Sequence, residues 1–237
     1  MSSLLHATSA TNYDQLYRQR TVDLNRPDQP TFALEYLYEA GLAPQDAAYL
    51  DIGTGVGKDP RQAVTRYGAR SATGIDTSEQ VIADARVLTQ NLVDQGSRDK
   101  INFACTELAN HDPSMKYDLV TLTSVLHLMD PDAALALLIE TRTRLTARGV
   151  ISFALKTPNS GDTRPCSEGG LSSFSIFKSP VISLHESKDG LERYYYSSKM
   201  AQRLLEATGL RVVDTQTVHT PYGSVDDCEF VIVTGTF

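Results

Sequence analysis

Gly53, Gly55 and Gly57 stand at alternate positions in LDIGTGVGKDP, residues 50–60, with Asp51 just ahead of them. A main chain without Cβ atoms can turn tightly and admit a ligand against its backbone. Asp76 closes the run SATGID, roughly 20 residues on, the separation at which a carboxylate reaches the ribose hydroxyls of a nucleotide held by such a loop. The dinucleotide pattern GxGxxG is not met, because Lys58 occupies the third glycine position and the spacing is GxGxG. Asp59, beside the loop, would repel a pyrophosphate seated at a helix N-terminus. These residues suit a nucleoside better than a dinucleotide.

The elements that position them alternate. TFALEYLYEA (31–40) places Phe32, Leu34, Leu37 and Tyr38 at helical spacing and stops at Gly41. A strand is expected at 48–52, and Asp59 with Pro60 predicts an N-cap and first turn for the following helix. SATGID and INFAC read as strands, with a helix between them through Val81, Ala85, Leu88 and Leu92. YDLVTLTSVL (117–126) is continuously apolar, as a strand buried on both faces is. Asp130 and Pro131 repeat the cap signature for a helix through Leu135, Leu138, Ile139 and Leu145, expected to end near Gly149. GVISFAL is a fifth strand. Residues 157–193, rich in Ser, Gly and Pro, break the rhythm and predict an irregular insert or cap. SSKMAQRLLEATG then reads as a helix, and LRVVDTQTVHT and EFVIVTGTF as two strands turning near Pro221 and Gly223. The alternation predicts an α/β fold, a doubly wound, mostly parallel sheet of seven strands. Residues 1–40 are expected to form a helical lid segment and 41–237 the α/β domain.

Composition narrows the partners. Lys and Arg number 22 against 29 Asp and Glu, a net charge of −7, with no basic cluster of the kind that neutralises nucleic acid. No signal pattern and no apolar run of about 18 residues is present, so a cytoplasmic protein without a membrane partner is expected. Cys105, Cys166 and Cys228 are too dispersed for a disulfide framework or a metal site. A homodimer is compatible with all of this.

YLDIGTGVG, GID ending in Asp76, KYDLVTLTSVLHLM and GVISFAL together resemble the successive motifs of the class I S-adenosylmethionine-dependent methyltransferases, over roughly residues 30–156. The second half resembles more loosely the small-molecule and tellurite-resistance branch. The resemblance implies a Rossmann-like sheet with a reversed last strand and S-adenosyl-L-methionine as cofactor. Asp51, Gly53, Thr54 and Gly55 would then bracket its amino-acid end, and Asp76 with Thr77 the ribose. Thr106 or Glu107 would lie by the adenine, and both remain open. Thr123 and Ser124 would face the methionine part.

Around that pocket, His127 is either a satisfied polar group beneath the cofactor or a general base. Tyr194, Tyr195 and Tyr196 either anchor a helix start or meet substrate, with Tyr195 the second catalytic candidate. Tyr13 and Tyr17, four apart, form either a lid face or a helix staple. Residues 123–126 read TSVL, where the nucleic-acid and protein-amide branches carry an NPPY-like tetrapeptide, so a small-molecule acceptor is expected. Methyl transfer from a sulfonium is an in-line displacement that rests on positioning and water exclusion, so no catalytic triad is required. Two rivals share the pocket: an enzyme in which the cofactor's amino group displaces its own sulfur, releasing 5′-methylthioadenosine, and a non-catalytic S-adenosylmethionine-binding regulator. A nicotinamide dehydrogenase is disfavoured by Lys58.

Overall fold

Parallel pairing of two short apolar strands, each followed by a turn and a helix, sets the frame for the glycine loop. A computed structural model describes residues 28–157, 170–172, 181–185, 192–222 and 225–237. The chain divides into two compact units, 1–117 and 118–237.

In the first unit, α1 (Phe32–Glu39) is capped by Thr31, whose hydroxyl accepts the Leu34 N–H, and it buries Ala33, Leu34 and Leu37. β1 (Ala48–Ile52) is buried at every position. It pairs in parallel with β2 (Ser71–Asp76), placing Asp51 opposite Gly74 and Ile52 opposite Ile75. α2 (Lys58–Thr65) joins them, and α3 (Glu79–Leu92) and the single turn α4 (Gln95–Arg98) lead to β3 (Ile101–Cys105), parallel to β2. α3 is capped by Ser78 and turns Val81, Ile82, Ala85 and Leu88 inward, whereas Leu92, expected on the same stripe, lies in the last turn and is 49% exposed.

In the second unit, β4 (Tyr117–Thr123, its first residue in the first unit) ends three residues before the apolar run does, and a 3₁₀ turn, Leu126–Leu128, replaces the expected strand end. Burial and not extension explains that run, since Leu126 and His127 are both buried in the turn. α5 (Pro131–Thr143) starts as predicted, Asp130 accepting the N–H groups of Asp132 and Ala133. It stops before Leu145, which opens β5 (Leu145–Lys156) instead of completing the helix. The stretch expected to be irregular contributes β6 (Gly170–Ser172), β7 (Val181–His185) and β8 (Glu192–Tyr195), a small antiparallel sheet. α6 (Ser198–Glu206) precedes β9 (Arg211–Tyr222) and β10 (Val225–Thr236). β10 runs antiparallel to both β5 and β9, the reversed last strand. The main sheet is mixed and seven-stranded, in the order β3-β2-β1-β4-β5-β10-β9. Among the described residues no helix is long and apolar enough to cross a membrane.

Two glycines of the loop have different reasons to be glycine. Gly55 has φ +54 and open space where a Cβ would lie. Gly57, with φ +74, has the Phe103 ring 2.5 Å from that position, and Phe103 packs with Ile82 and Ala85. Gly55→Ala should therefore cost about 1–2 kcal/mol for the left-handed backbone alone. Gly57→Ala adds overpacking against the ring and should cost about 2–5 kcal/mol. Urea unfolding of the two variants checks the order; equal costs would mean the ring moves aside freely.

Candidate functional site

The loop between β1 and α2 is organised by the carboxyl end of β2. Gly53 and Thr54 both donate their N–H groups to Ile75 O, at 2.8 and 3.0 Å. Gly55 donates its N–H to Asp76 Oδ2 at 3.0 Å, while Asp76 Oδ1 accepts the Ser78 N–H at 3.1 Å. The Asp76 carbonyl in turn accepts the Thr106 N–H at 2.9 Å. Asp76 thus joins the glycine loop, its own turn and the end of β3. The short register of parallel strands makes this possible, because Asp76 lies opposite Cys105 and one residue beyond the Ile52–Ile75 pair.

Of the residues expected at the cofactor, Asp51, Gly53, Thr54, Gly55, Asp76, Thr77, Thr106 and Glu107 all lie at the carboxyl ends of β1, β2 and β3 in this unit. Asp51 and Thr54 are buried, and the Thr54 hydroxyl is buried without a hydrogen-bond partner. Thr77 and Glu107 are exposed. The Thr106 hydroxyl is turned to the Glu107 carbonyl at 3.1 Å. A nucleoside fits this donor set: a carboxylate for a diol, and a backbone open beside Gly55.

In the second unit, Thr123 ends β4 and Ser124 follows it. Both hydroxyls are buried without a hydrogen-bond partner. Ser124 holds φ +62, a left-handed conformation that costs a non-glycine residue about 1–2 kcal/mol, and its N–H reaches Ala154 O at 3.3 Å. Strain of this kind, together with orphaned hydroxyls, is concentrated at ligand-binding turns. His127, in the 3₁₀ turn, is 3% exposed, and that turn packs on β8, which carries Tyr194 and Tyr195. Tyr195 and Tyr196 are fully enclosed, and burial, with Asp130 nearby, pushes the Tyr196 phenol far above its ordinary value. Tyr13 and Tyr17 lie outside the described residues.

The expected role of Asp59 is corrected. α2 begins at Lys58 with Gly57 as its cap, and Asp59 lies inside the first turn. Its carboxylate serves the other helix: Thr31, the cap of α1, donates its N–H to Asp59 Oδ1 at 2.7 Å and its hydroxyl to Oδ2 at 2.6 Å. Sequence spacing could not reveal this, since the partners are 28 residues apart. The same applies to Arg61, 1% exposed, which the sequence reading passed over. It forks onto Asp28 through Nε at 2.8 Å and Nη2 at 2.7 Å, and donates Nη1 to the Val56 carbonyl within the glycine loop at 2.7 Å. With a buried carboxylate already in the first turn of α2, the helix N-terminus is a poor seat for phosphate. Separately, a groove of about 340 Å³ lined by Arg86, Gln90, Arg98 and Asn102 runs along the β3 edge and meets the wall of the glycine loop only at Phe103.

Burial raises the Asp59 carboxyl to about 6, more than the Thr31 hydrogen bonds and Lys58 lower it, with Asp28 adding repulsion. A carboxyl raised in the folded state favours folding at low pH, and that contribution is lost as pH rises through about 6. Asp59→Asn removes the charge. Its stability relative to the parent should therefore climb between pH 4 and 6 and level off above; a flat difference across that range in urea titrations would show that Asp59 ionises without penalty.

A family model described as a methyltransferase domain matches residues 50–151. No curated protein matches the chain by sequence. Among solved structures, the 1,6-didemethyltoxoflavin-N1-methyltransferase of Burkholderia thailandensis, with bound 1,6-didemethyltoxoflavin and S-adenosylhomocysteine, superposes with a TM-score of 0.67 at 19% identity, covering 98% of this chain and 90% of that one. An S-adenosylmethionine-dependent methyltransferase from Clostridium acetobutylicum gives 0.61 at 17% identity over 98% and 99%. Magnesium protoporphyrin IX methyltransferase from Synechocystis gives 0.60 at 16% identity over 96% and 85%. At these identities the likeness establishes the fold.

Proposed function

We propose that the chain is a class I S-adenosylmethionine-dependent methyltransferase, a reading supported by the methyltransferase-domain match over residues 50–151, and that it methylates a small molecule by in-line displacement. The observation that carries the reading is the Asp76 carboxylate held against the Gly55 N–H, beside a backbone with open space where a side chain would lie. Asp76 takes the ribose hydroxyls, Asp51 and the glycine loop the amino-acid end, and Thr106 or Glu107 the adenine edge. Thr123 and Ser124, with hydroxyls that have no other partner, are the candidates for the methionine part.

When bound, S-adenosylmethionine supplies a methyl group on a sulfonium, already activated toward a nucleophile. The protein's own contribution is to position and to exclude water. Buried Thr54 and the rigid ends of β1 and β2 serve the first need. A proton acceptor is required only for a nucleophile that must be deprotonated early, and His127 and Tyr195 are the candidates for it. A small acceptor is favoured by the net charge of −7 and by TSVL after β4, in place of an aromatic, amide-binding tetrapeptide.

Asp76→Ala should weaken S-adenosylhomocysteine binding by about 1–3 kcal/mol, through loss of charged hydrogen bonds to the ligand and of the tether on Gly55. Calorimetric titration checks it, and an unchanged affinity removes Asp76 from the site. Incubation of the protein with S-adenosylmethionine, followed by mass spectrometry, tests the reaction itself. S-adenosylhomocysteine should form only when a metabolite extract is added. Release of 5′-methylthioadenosine from the cofactor alone would replace methyl transfer with intramolecular displacement.

A further inference from the structure

Residues 28–31 are joined to the first two turns of α2 by a dense set of polar contacts that the cofactor reading does not use. Arg61 is enclosed, yet it carries a full positive charge. Its fork meets both oxygens of Asp28, and Gln62 Nε2 donates to the Asp28 carbonyl at 2.6 Å and to its Oδ2 at 3.2 Å. Three residues on from Asp28, Thr31 gives both of its donors to Asp59. The remaining arm of Arg61, Nη1, goes to the Val56 carbonyl, between Gly55 and Gly57, both of left-handed backbone conformation. One guanidinium therefore holds the entry to α1 with two of its nitrogens and the cofactor loop with the third.

A guanidinium presents its donors in a fixed plane, so the positions of Asp28 and of the Val56 carbonyl are geometrically dependent on each other. If Asp28 leaves, the Arg61 charge is left buried beside a single carbonyl and the loop loses a rigid constraint. If the loop is fixed by a ligand, Nη1 is fixed with it, and the fork is pre-aimed at Asp28. Two binding events that share one rigid intermediary favour each other reciprocally.

We propose that Arg61 is a positioning residue of the cofactor loop, coupling S-adenosylmethionine binding to the docking of residues 28–31 through the Val56 carbonyl. The inference rests on the cofactor assignment made above. It means that the chain segment entering α1 and the cofactor stabilise one another, although Arg61 and Asp28 need touch no ligand.

The test uses the full-length chain and S-adenosylhomocysteine, with calorimetry for affinity and hydrogen exchange by mass spectrometry on the peptide spanning residues 28–37, which contains the Thr31 amide bonded to Asp59. In the parent, ligand should slow exchange in that peptide. In Asp28→Asn and Arg61→Gln, affinity should fall by about 5- to 150-fold and the ligand-induced slowing should vanish, with the double variant no weaker than the worse single one. Arg61→Lys keeps the charge but not the fork, and should fall with the others. Asp28, with 17% of its side chain exposed, supplies the informative variant if the Arg61 substitutions do not fold. A folded Asp28→Asn protein with parental affinity, or a parent whose 28–37 peptide exchanges equally with and without ligand, overturns the coupling. A parent that binds no S-adenosylhomocysteine overturns the cofactor assignment and the coupling with it. A merely structural Arg61 would lower stability and leave the ligand-induced slowing intact.

Discussion

The hydrogen bond from the Gly55 N–H to Asp76 is the constraint around which the first unit is arranged. It forms because β1 and β2 are parallel, adjacent and in a register that carries β2 one residue past the end of β1, so that the turn after β1 meets the last side chain of β2. Gly53 and Thr54 finish the β1 ladder on Ile75, and Gly55 then leaves it for the carboxylate. A left-handed backbone is required at each of the three glycines to make that path, and Phe103 fills the space behind the last of them. The carboxylate does two things at once: it shapes the loop and presents a negative group at its rim.

The polar groups buried behind the loop follow from where α2 begins. From Asp59 to Val64 the helix is buried all round, so neither Asp59 nor Arg61 can meet water. Each needs a partner from elsewhere in the chain, and the segment before α1 supplies both, Thr31 for Asp59 and Asp28 for Arg61. Buried charges of this kind add little net stability, but they specify one arrangement, since any other leaves a charge without a partner. That specificity falls on the residues next to the glycine loop, whose Val56 carbonyl Arg61 also holds. In the second unit the corresponding tension is backbone strain, at Ser124, next to two hydroxyls with nothing to bond.

Much of the fold was readable from period and punctuation. The cap at Asp130 and the strands ending at Ile52, Asp76 and Cys105 are local patterns that alternation and turn chemistry expose, and the reversed last strand was expected from the family resemblance. The misreadings share a cause. Asp59 followed by proline looks like a cap, and its carboxylate is indeed a helix cap partner, but for α1 and not for the helix that contains it. The apolar run 117–126 looks like one strand because burial and extension leave the same mark on a sequence, although the chain turns at Ser124. Short strands at 170–172 and 181–185 escaped because three to five residues amid Ser and Gly carry no period to read.

What the sequence by itself determined is the parts with local physical causes: glycines where the backbone must be left-handed, an acidic residue at the end of the second strand, and the succession of strands and helices that makes the sheet. Tertiary structure alone decided which carboxylate meets which donor. The pairing of Asp28 with Arg61, or Thr31 with Asp59, spans 33 and 28 residues and depends on how α1 and α2 pack. No spacing rule encodes it, because a buried charge requires a partner without specifying where along the chain that partner must come from.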